Sequence, residues 1–339
     1  MSRIAVVVYN LGGPDSPEAV APFLRNLFSD PMIIRLPGPL RWFVARMISR
    51  RRAPVAREIY AKIGGRSPIL PETHKQADAL QEALGEGFRV FVAMRYWHPF
   101  ADQVARDVAA WKPDRVVLLP LYPQFSTTTT ESFLRIWRQA AQAAGLEAPS
   151  AEVCCYPDHD GFVNALHRLT EAAIAEVPAG TKCRVLFSAH GLPKKIVDAG
   201  DPYADQVERT AAATIARLAI PGLDYVVCYQ SRVGPLEWLK PYTEDEIRRA
   251  GEDKTALVVV PVAFVSEHSE TLVELDMEYR DLAHEAGVPA YVRAPTVNAD
   301  AAFIAGLAAI VRAAPETGTM PGGISCPPGF RDCPCRRVA

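Results

Sequence analysis

Four carboxylates and a histidine crowd the stretch around residue 270. Val258 to Tyr279 reads VVVPVAFVSEHSETLVELDMEY. An uninterrupted apolar run, Val258 to Val265, turns polar at Ser266 and continues as a predicted helix. At about 100° per residue, Glu267, Glu270, Glu274 and Glu278 fall within roughly 80° of one another. His268 stands beside this ridge and Asp276 lies on the far side. A solvated helix face would share the pattern. The ridge, however, starts where a buried strand ends, and open α/β sheets bind their ligands there. Oxygen donors with an imidazole nearby suit a hard or borderline divalent cation. A second group, His190, also follows an apolar strand and precedes Gly191-Leu192-Pro193. An imidazole projected from such a turn can accept a proton near neutral pH while carboxylates hold a cation.

These groups need a frame. Six apolar runs of strand length are present: Ile4 to Tyr9, Val90 to Met94, Val116 to Leu121, Val185 to Ser188, Tyr225 to Tyr229 and Leu257 to Val265. They are near-continuous rather than alternating, as in parallel strands covered on both faces. Helical segments separate them: Glu18 to Leu27, His74 to Leu84, Phe100 to Ala110, Ala204 to Ala219 and Val297 to Ala313. The alternation predicts an α/β, doubly wound architecture. The turns after the strands suggest two rounds of one plan. NLGGP (Asn10 to Pro14) parallels AHGLP (Ala189 to Pro193), and Leu119-Pro120-Leu121 parallels Val260-Pro261-Val262. The expected fold is two similar Rossmann-like lobes, with parallel four-stranded sheets facing across a cleft and a boundary near residues 145 to 160. The predicted domains are 1–150, 151–315 and a cysteine-bearing extension, 316–339.

Composition excludes some classes of function. With 339 residues, 49% of them hydrophobic and 22% charged, the chain reads as globular. A formal net charge of −2 argues against general nucleic-acid binding. No stretch has the ~18 apolar residues of a membrane span, and the N-terminus lacks a signal-peptide pattern. The expected setting is the cytoplasm, with peripheral attachment to the inner membrane. Neither G-x-G-x-x-G nor the P-loop motif occurs, so no nucleotide cofactor is implied.

Eight motifs in order resemble the ferrochelatases, which insert ferrous iron into a porphyrin to make heme. They are NLGGP, IGGRSPI (Ile63 to Ile69), MRYWHP (Met94 to Pro99), LPLYPQFSTTTT (Leu119 to Thr130), SAHGLP (Ser188 to Pro193), GDPY (Gly200 to Tyr203), QSRVGPLEWLKP (Gln230 to Pro241) and the acidic segment Ser266 to Tyr279. The resemblance implies His190 as acceptor of pyrrole protons and Glu270 as its partner in metal delivery, the two facing the substrate Fe²⁺. His268 and Glu274 would complete the metal and proton path, with Glu278 further along it, and a widened π-type turn is implied in this helix. Protoporphyrin IX is the implied substrate, giving protoheme with release of two protons in the last step of heme biosynthesis by a lyase. Coproporphyrin III, or cobalt with a corrin precursor, are alternatives, as is a non-catalytic tetrapyrrole-binding chaperone. Retention of both His190 and the Glu270 segment speaks against a pure binder. Oligomeric state is not legible.

A porphyrin needs an apolar, aromatic slot with a few cationic anchors for its propionates. The candidate walls are Tyr9, Leu11, Tyr96, Trp97, Tyr122 and Trp238, and the candidate anchors Arg25, Arg95 and Arg232. Ser126 to Thr130 is a hydroxyl-rich turn suited to an anion or to capping a helix. Met32 to Arg52 mixes Ile33, Ile34, Leu36, Leu40, Trp42, Phe43, Val44 and Met47 with Arg35, Arg41, Arg46 and Arg50 to Arg52, and has no acids. That composition suits attachment to an anionic membrane surface, or an ordinary amphipathic helix. In the resembling family this region forms a lip over the porphyrin pocket.

The last feature is a C-x₆-C-x-C cluster at Cys326, Cys333 and Cys335. Such a cluster suggests metal ligation more than disulfides. Some ferrochelatases carry a [2Fe–2S] cluster there, with a fourth cysteine from the body. Thr127 stands where the animal pattern has a cysteine, so the chain is more similar to the bacterial cluster-bearing variety, and Cys154 or Cys155, at the predicted lobe junction, is the expected fourth ligand. Zinc is the chemical alternative, and Cys183 and Cys228 read as inert core thiols.

Overall fold

The computed structural model describes residues 2–336. In chain order the strands are β1 (Ile4–Asn10), β2 (Phe88–Met94), β3 (Arg115–Pro120), β4 (Ser150–Val153) and β5 (Cys183–His190). They continue with β6 (Asp224–Gln230), β7 (Ala256–Pro261), β8 (Tyr291–Arg293) and β9 (Gly318–Met320). Two sheets form, ordered β2-β1-β3-β4-β9 and β6-β5-β7-β8. Every strand pairing is parallel. The α/β class is as the near-continuous apolar runs require: β1 and β7 are buried along their whole lengths.

The two rounds of one plan recur as topology. The first four strands order 2-1-3-4, and the next four, counted afresh, order the same way. The first sheet is not four-stranded, because β9 pairs with β4 and makes a fifth strand. Accordingly the chain divides into residues 1–154 with 308–320, and 155–307 with 321–339. The predicted extension from residue 316 therefore begins as an edge strand of the first unit.

Strand ends differ from expectation where chemistry intervenes. β5 runs on to His190, making that residue the last of its strand. β7 stops at Pro261, not Val265. Proline has no N–H for the ladder, and Phe264 instead closes a turn on the Pro261 carbonyl.

In the first unit, Tyr9 stacks on Phe133 at 4.0 Å between ring centroids and 7° between planes, inside a core with Val104, Leu118 and Trp137. The helix Gly38–Ala61 takes up residues 38–52 of the predicted apolar and basic segment, and residues 32–37 precede it. Proline at its start suits the first turn, whose N–H groups have no partner within the helix. Its small buried positions, Ala45, Ser49 and Ala53, come at four-residue spacing and so share one face. Ala53 packs against Val20, Phe23 and Leu24. Trp42 and Phe43 are each 60% exposed.

Candidate active site

The second unit gathers the reactive groups. β5 carries His190 to its C-terminal end, where Nδ1 lies 2.6 Å from the Gly191 carbonyl oxygen. A carbonyl only accepts, so Nδ1 carries the proton and Nε2 is the bare acceptor of the neutral ring. That Nε2 faces Glu270 Oε1 at 3.8 Å, and both side chains are about one-third exposed. Glycine follows for a steric reason. A Cβ at Gly191 would stand 3.0 Å from the Gln230 carbonyl and 3.2 Å from the Trp238 ring. A short antiparallel bridge between Pro193 and Trp238 holds that indole 6.4 Å from the His190 ring.

Glu270 opens a nine-residue π-helix, Glu270–Glu278. Such wide turns are rare and concentrate at functional sites. Glu274 is a heavily bonded carboxylate. It accepts from Ser231 N (3.0 Å), the Ser231 hydroxyl, Gln230 Nε2 (3.0 Å) and Tyr279 Oη (3.1 Å). Burial, and then the charge of Glu270, push its carboxyl above the ordinary value of 4.5. Ser231 sits at φ +62°, a left-handed conformation that costs a non-glycine residue free energy. Its two bonds to Glu274 hold it there. The motif QSRVGP gave the only sequence signal for Gln230 and Ser231, and no role could be read from it.

His268 is held differently. Its Nδ1 accepts the Glu270 N–H at 3.0 Å, so Nε2 carries the proton, and the ring meets Phe264 edge-on at 4.6 Å. Burial keeps its pKa below 6.5, which leaves it neutral near pH 7. Glu267 belongs to the fold instead. Arg293 (2.9 Å), the Thr296 N–H (3.1 Å) and the Thr271 hydroxyl (2.5 Å) all bond to its carboxylate. Asp276 faces Arg280 and Arg293, and Glu278 is exposed.

The predicted porphyrin contacts divide between the units. Arg232 and Trp238 follow β6, with the Arg232 guanidinium 4.2 Å above the Tyr242 ring. Tyr9, Leu11, Arg95, Tyr96 and Tyr122 belong to the first unit. Tyr9 and Tyr96 are fully buried, while Leu11, Tyr122 and Trp97 are half-buried. Arg95 is tied to Asp30 Oδ2 (2.7 Å) and Ser132 (2.7 Å), and Tyr96 Oη also donates to Asp30 (2.7 Å). Asp30 was not foreseen, because nothing in its local sequence marks it as a hub. Ser126 caps the short π-helix Thr127–Glu131 through Thr128 N.

The cysteines sort by unit as well. Cys155, Cys326 and Cys333 lie around the helix Tyr203–Leu218 of the second unit. Gln206 Nε2 is 3.4 Å from Cys155 Sγ and 3.0 Å from Cys326 Sγ. A hydrogen bond with Cys333 is the largest cause raising the Cys326 thiol far above its usual range, followed by burial. Cys335 is half-buried, and Cys154 is buried in the first unit. Among the described residues, no three His, Cys, Asp or Glu side chains stand at the spacing of a single metal ion. Cys228 is buried in β6, and burial pushes its thiol up to about 12.

The family described as Ferrochelatase matches residues 3–314. A ferrochelatase of Caulobacter vibrioides (strain NA1000 / CB15N) is 50% identical over 348 residues, covering 99% of each chain. One from Phenylobacterium zucineum is 51% identical over 341 residues, covering 98% of each. Among solved structures, SirB from Bacillus subtilis with Fe³⁺ is similar in fold, at TM-score 0.57 and 11% identity over 92% of this chain and 95% of that one. A heme-biosynthetic metal chelatase by its sequence and a two-sheet parallel α/β protein by its fold, this chain belongs to the ferrochelatase family.

Proposed function

We propose that the protein inserts Fe²⁺ into protoporphyrin IX, with His190 as the acceptor of the pyrrole protons. The observation that carries this is the disposition of His190, whose Nδ1–H is committed to the Gly191 carbonyl while Nε2 faces Glu270 at 3.8 Å. Metallation breaks two N–H bonds and forms the iron–nitrogen bonds, so two protons leave. His190 Nε2 takes them in turn, and the Glu270 carboxylate stabilises the imidazolium and draws the cation. Glu274, its pKa raised by burial, accepts and releases protons nearer neutrality than an ordinary carboxylate. Neutral His268 orients Glu270 through its backbone N–H. Arg232 and Trp238 offer a cation and an apolar face beside this centre. Anaerobic assay with Fe²⁺ and protoporphyrin IX, coproporphyrin III or a corrin precursor, read by absorbance, tests the substrate. Faster turnover of coproporphyrin III would replace the porphyrin named here.

Two accessory properties belong to the same reading. The helix Gly38–Ala61 turns Leu40, Trp42 and Phe43 outward among arginines, and this supports reversible docking on anionic lipid, from which an insoluble porphyrin is exchanged. No helix among the described residues is long and apolar enough to cross a membrane. The tail cysteines fit a [2Fe–2S] cluster in donor chemistry. The Cys326 sulfur stands among amide and guanidinium N–H groups, and two irons share four thiolates, so no single point need collect them all. Cys326, Cys333 and Cys335 with Cys155 would hold it. Cys155 is preferred over Cys154 because it shares Gln206 with Cys326. When bound, the cluster would cross-link the tail to the second unit and add one-electron redox chemistry.

A further inference from the structure

The helix Tyr203–Leu218 presents two polar side chains, three residues apart, to the tail sulfurs. Gln206 is fully buried, and its single amide nitrogen stands within hydrogen-bond reach of both Cys155 Sγ (3.4 Å) and Cys326 Sγ (3.0 Å). Arg209 reaches Cys326 Sγ at 4.0 Å through Nη1. Its Nη2 donates to the Asp158 carboxylate and, at 2.8 Å, to the Ile324 carbonyl. Asp158 Oδ1 in turn accepts the Ile324 N–H at 3.1 Å. The ion pair thus brackets both backbone groups of Ile324, two residues before Cys326. The approach is close enough to demand glycine next door, since a Cβ at Gly323 would fall 2.1 Å from Asp158 Oδ1.

A buried primary amide gains little from neutral thiols alone, because a thiol is a weak acceptor. A thiolate bound to iron carries negative charge and accepts well. Such hydrogen bonds draw charge from the sulfurs and stabilise the more negative, reduced form of an iron–sulfur group. The geometry points to Gln206 as the residue that sets the reduction potential of the group held by the tail cysteines, with Arg209 and Asp158 as the clamp that presents Cys326 to it. This rests on the cluster reading above and assigns it an outer shell. None of the three lies among the groups placed around His190, so all are positioning residues for the sulfur site alone.

The test is a redox titration of the anaerobically purified full chain and of Gln206→Leu, followed by visible absorbance, with iron and acid-labile sulfide measured in each. Gln206→Leu should keep its iron and sulfide. Its reduced-to-oxidised ratio at a fixed potential should fall at least tenfold, a shift of about 59 mV to more negative potential for one electron. An unchanged potential with full iron and sulfide would overturn this inference while leaving the cluster itself in place. If Gln206→Leu loses its iron, resonance Raman of the parent protein decides. Iron–sulfur stretching bands that move on exchange from H₂O to D₂O support N–H···S bonding, and bands that stay put overturn it. A parent chain isolated without iron and sulfide would overturn the inference together with the cluster reading.

Discussion

At the residue scale the chemistry reduces to which atoms are free to exchange protons. His190 gives its Nδ1–H to a carbonyl and turns Nε2 to Glu270. Glu270→Gln keeps the size of the side chain but removes the charge that draws the cation. It should lower kcat by about two to four orders of magnitude, while Glu278→Gln, exposed further along the helix, should be much milder. Steady-state assays of the two variants with Fe²⁺ check this, and the reverse order would refute the assignment of the ridge. Glu274 makes a pH prediction. Its carboxyl is raised in the fold, by burial first, so the folded state holds a proton that the unfolded chain has lost. Below 4.5 both states are protonated and the group has no effect. As pH rises from there through the raised value, stability falls. Urea denaturation across pH 4 to 8 should show that decline, and Glu274→Gln should flatten it. A parallel decline in the variant would exclude Glu274 as its source.

At the element scale the π-helix and the helix Gly38–Ala61 do the positioning. Much of this was legible in sequence. The buried strands appeared as continuous apolar runs, and the break at Ser266 marked the start of the acidic segment. The exit of β5 was misjudged, since Val185 to Ser188 stops two residues short of His190. Parallel pairing with Gln230 extends the ladder to that histidine. Helical-wheel geometry grouped Glu267 with the ridge, yet Glu267 precedes the π-helix and is claimed by Arg293, a partner 26 residues distant in sequence. Likewise Arg95 read as a cationic anchor, whereas Asp30 binds its guanidinium in the fold. Removing one member of a buried pair costs about 3–5 kcal/mol. Asp30→Ala should therefore lower unfolding free energy by that order in chemical denaturation, and a loss below 1 kcal/mol would deny the hub its structural weight. Replacing Trp42 and Phe43 with serine should weaken sedimentation with anionic vesicles and slow turnover of membrane-delivered porphyrin. Added salt should weaken binding of the parent. Equal vesicle binding by parent and variant would remove the helix from that role.

At the scale of the whole molecule, one topological plan is used twice and put to different ends. The first unit spends its strand exits on a buried aromatic core and the Asp30 network. The second spends them on His190, Glu270 and Glu274. Sequence hinted at the repetition through paired turn motifs, but it could not show β9 crossing back to the first sheet, because three residues carry no periodicity. The tail is tied down by more than sulfur, through Gly322 N to the Cys155 carbonyl and Asp332 N to the Gly200 carbonyl. Cys326→Ser and Cys333→Ser should each remove iron and sulfide from the isolated protein, and zinc without sulfide in the parent would replace the cluster by a zinc site. The central claim is the role of His190, and anaerobic stopped-flow insertion of Fe²⁺ into protoporphyrin IX by the parent and His190→Ala tests it most directly. The account predicts retained porphyrin binding with insertion slowed by about two to four orders of magnitude. Insertion within tenfold of the parent would contradict it.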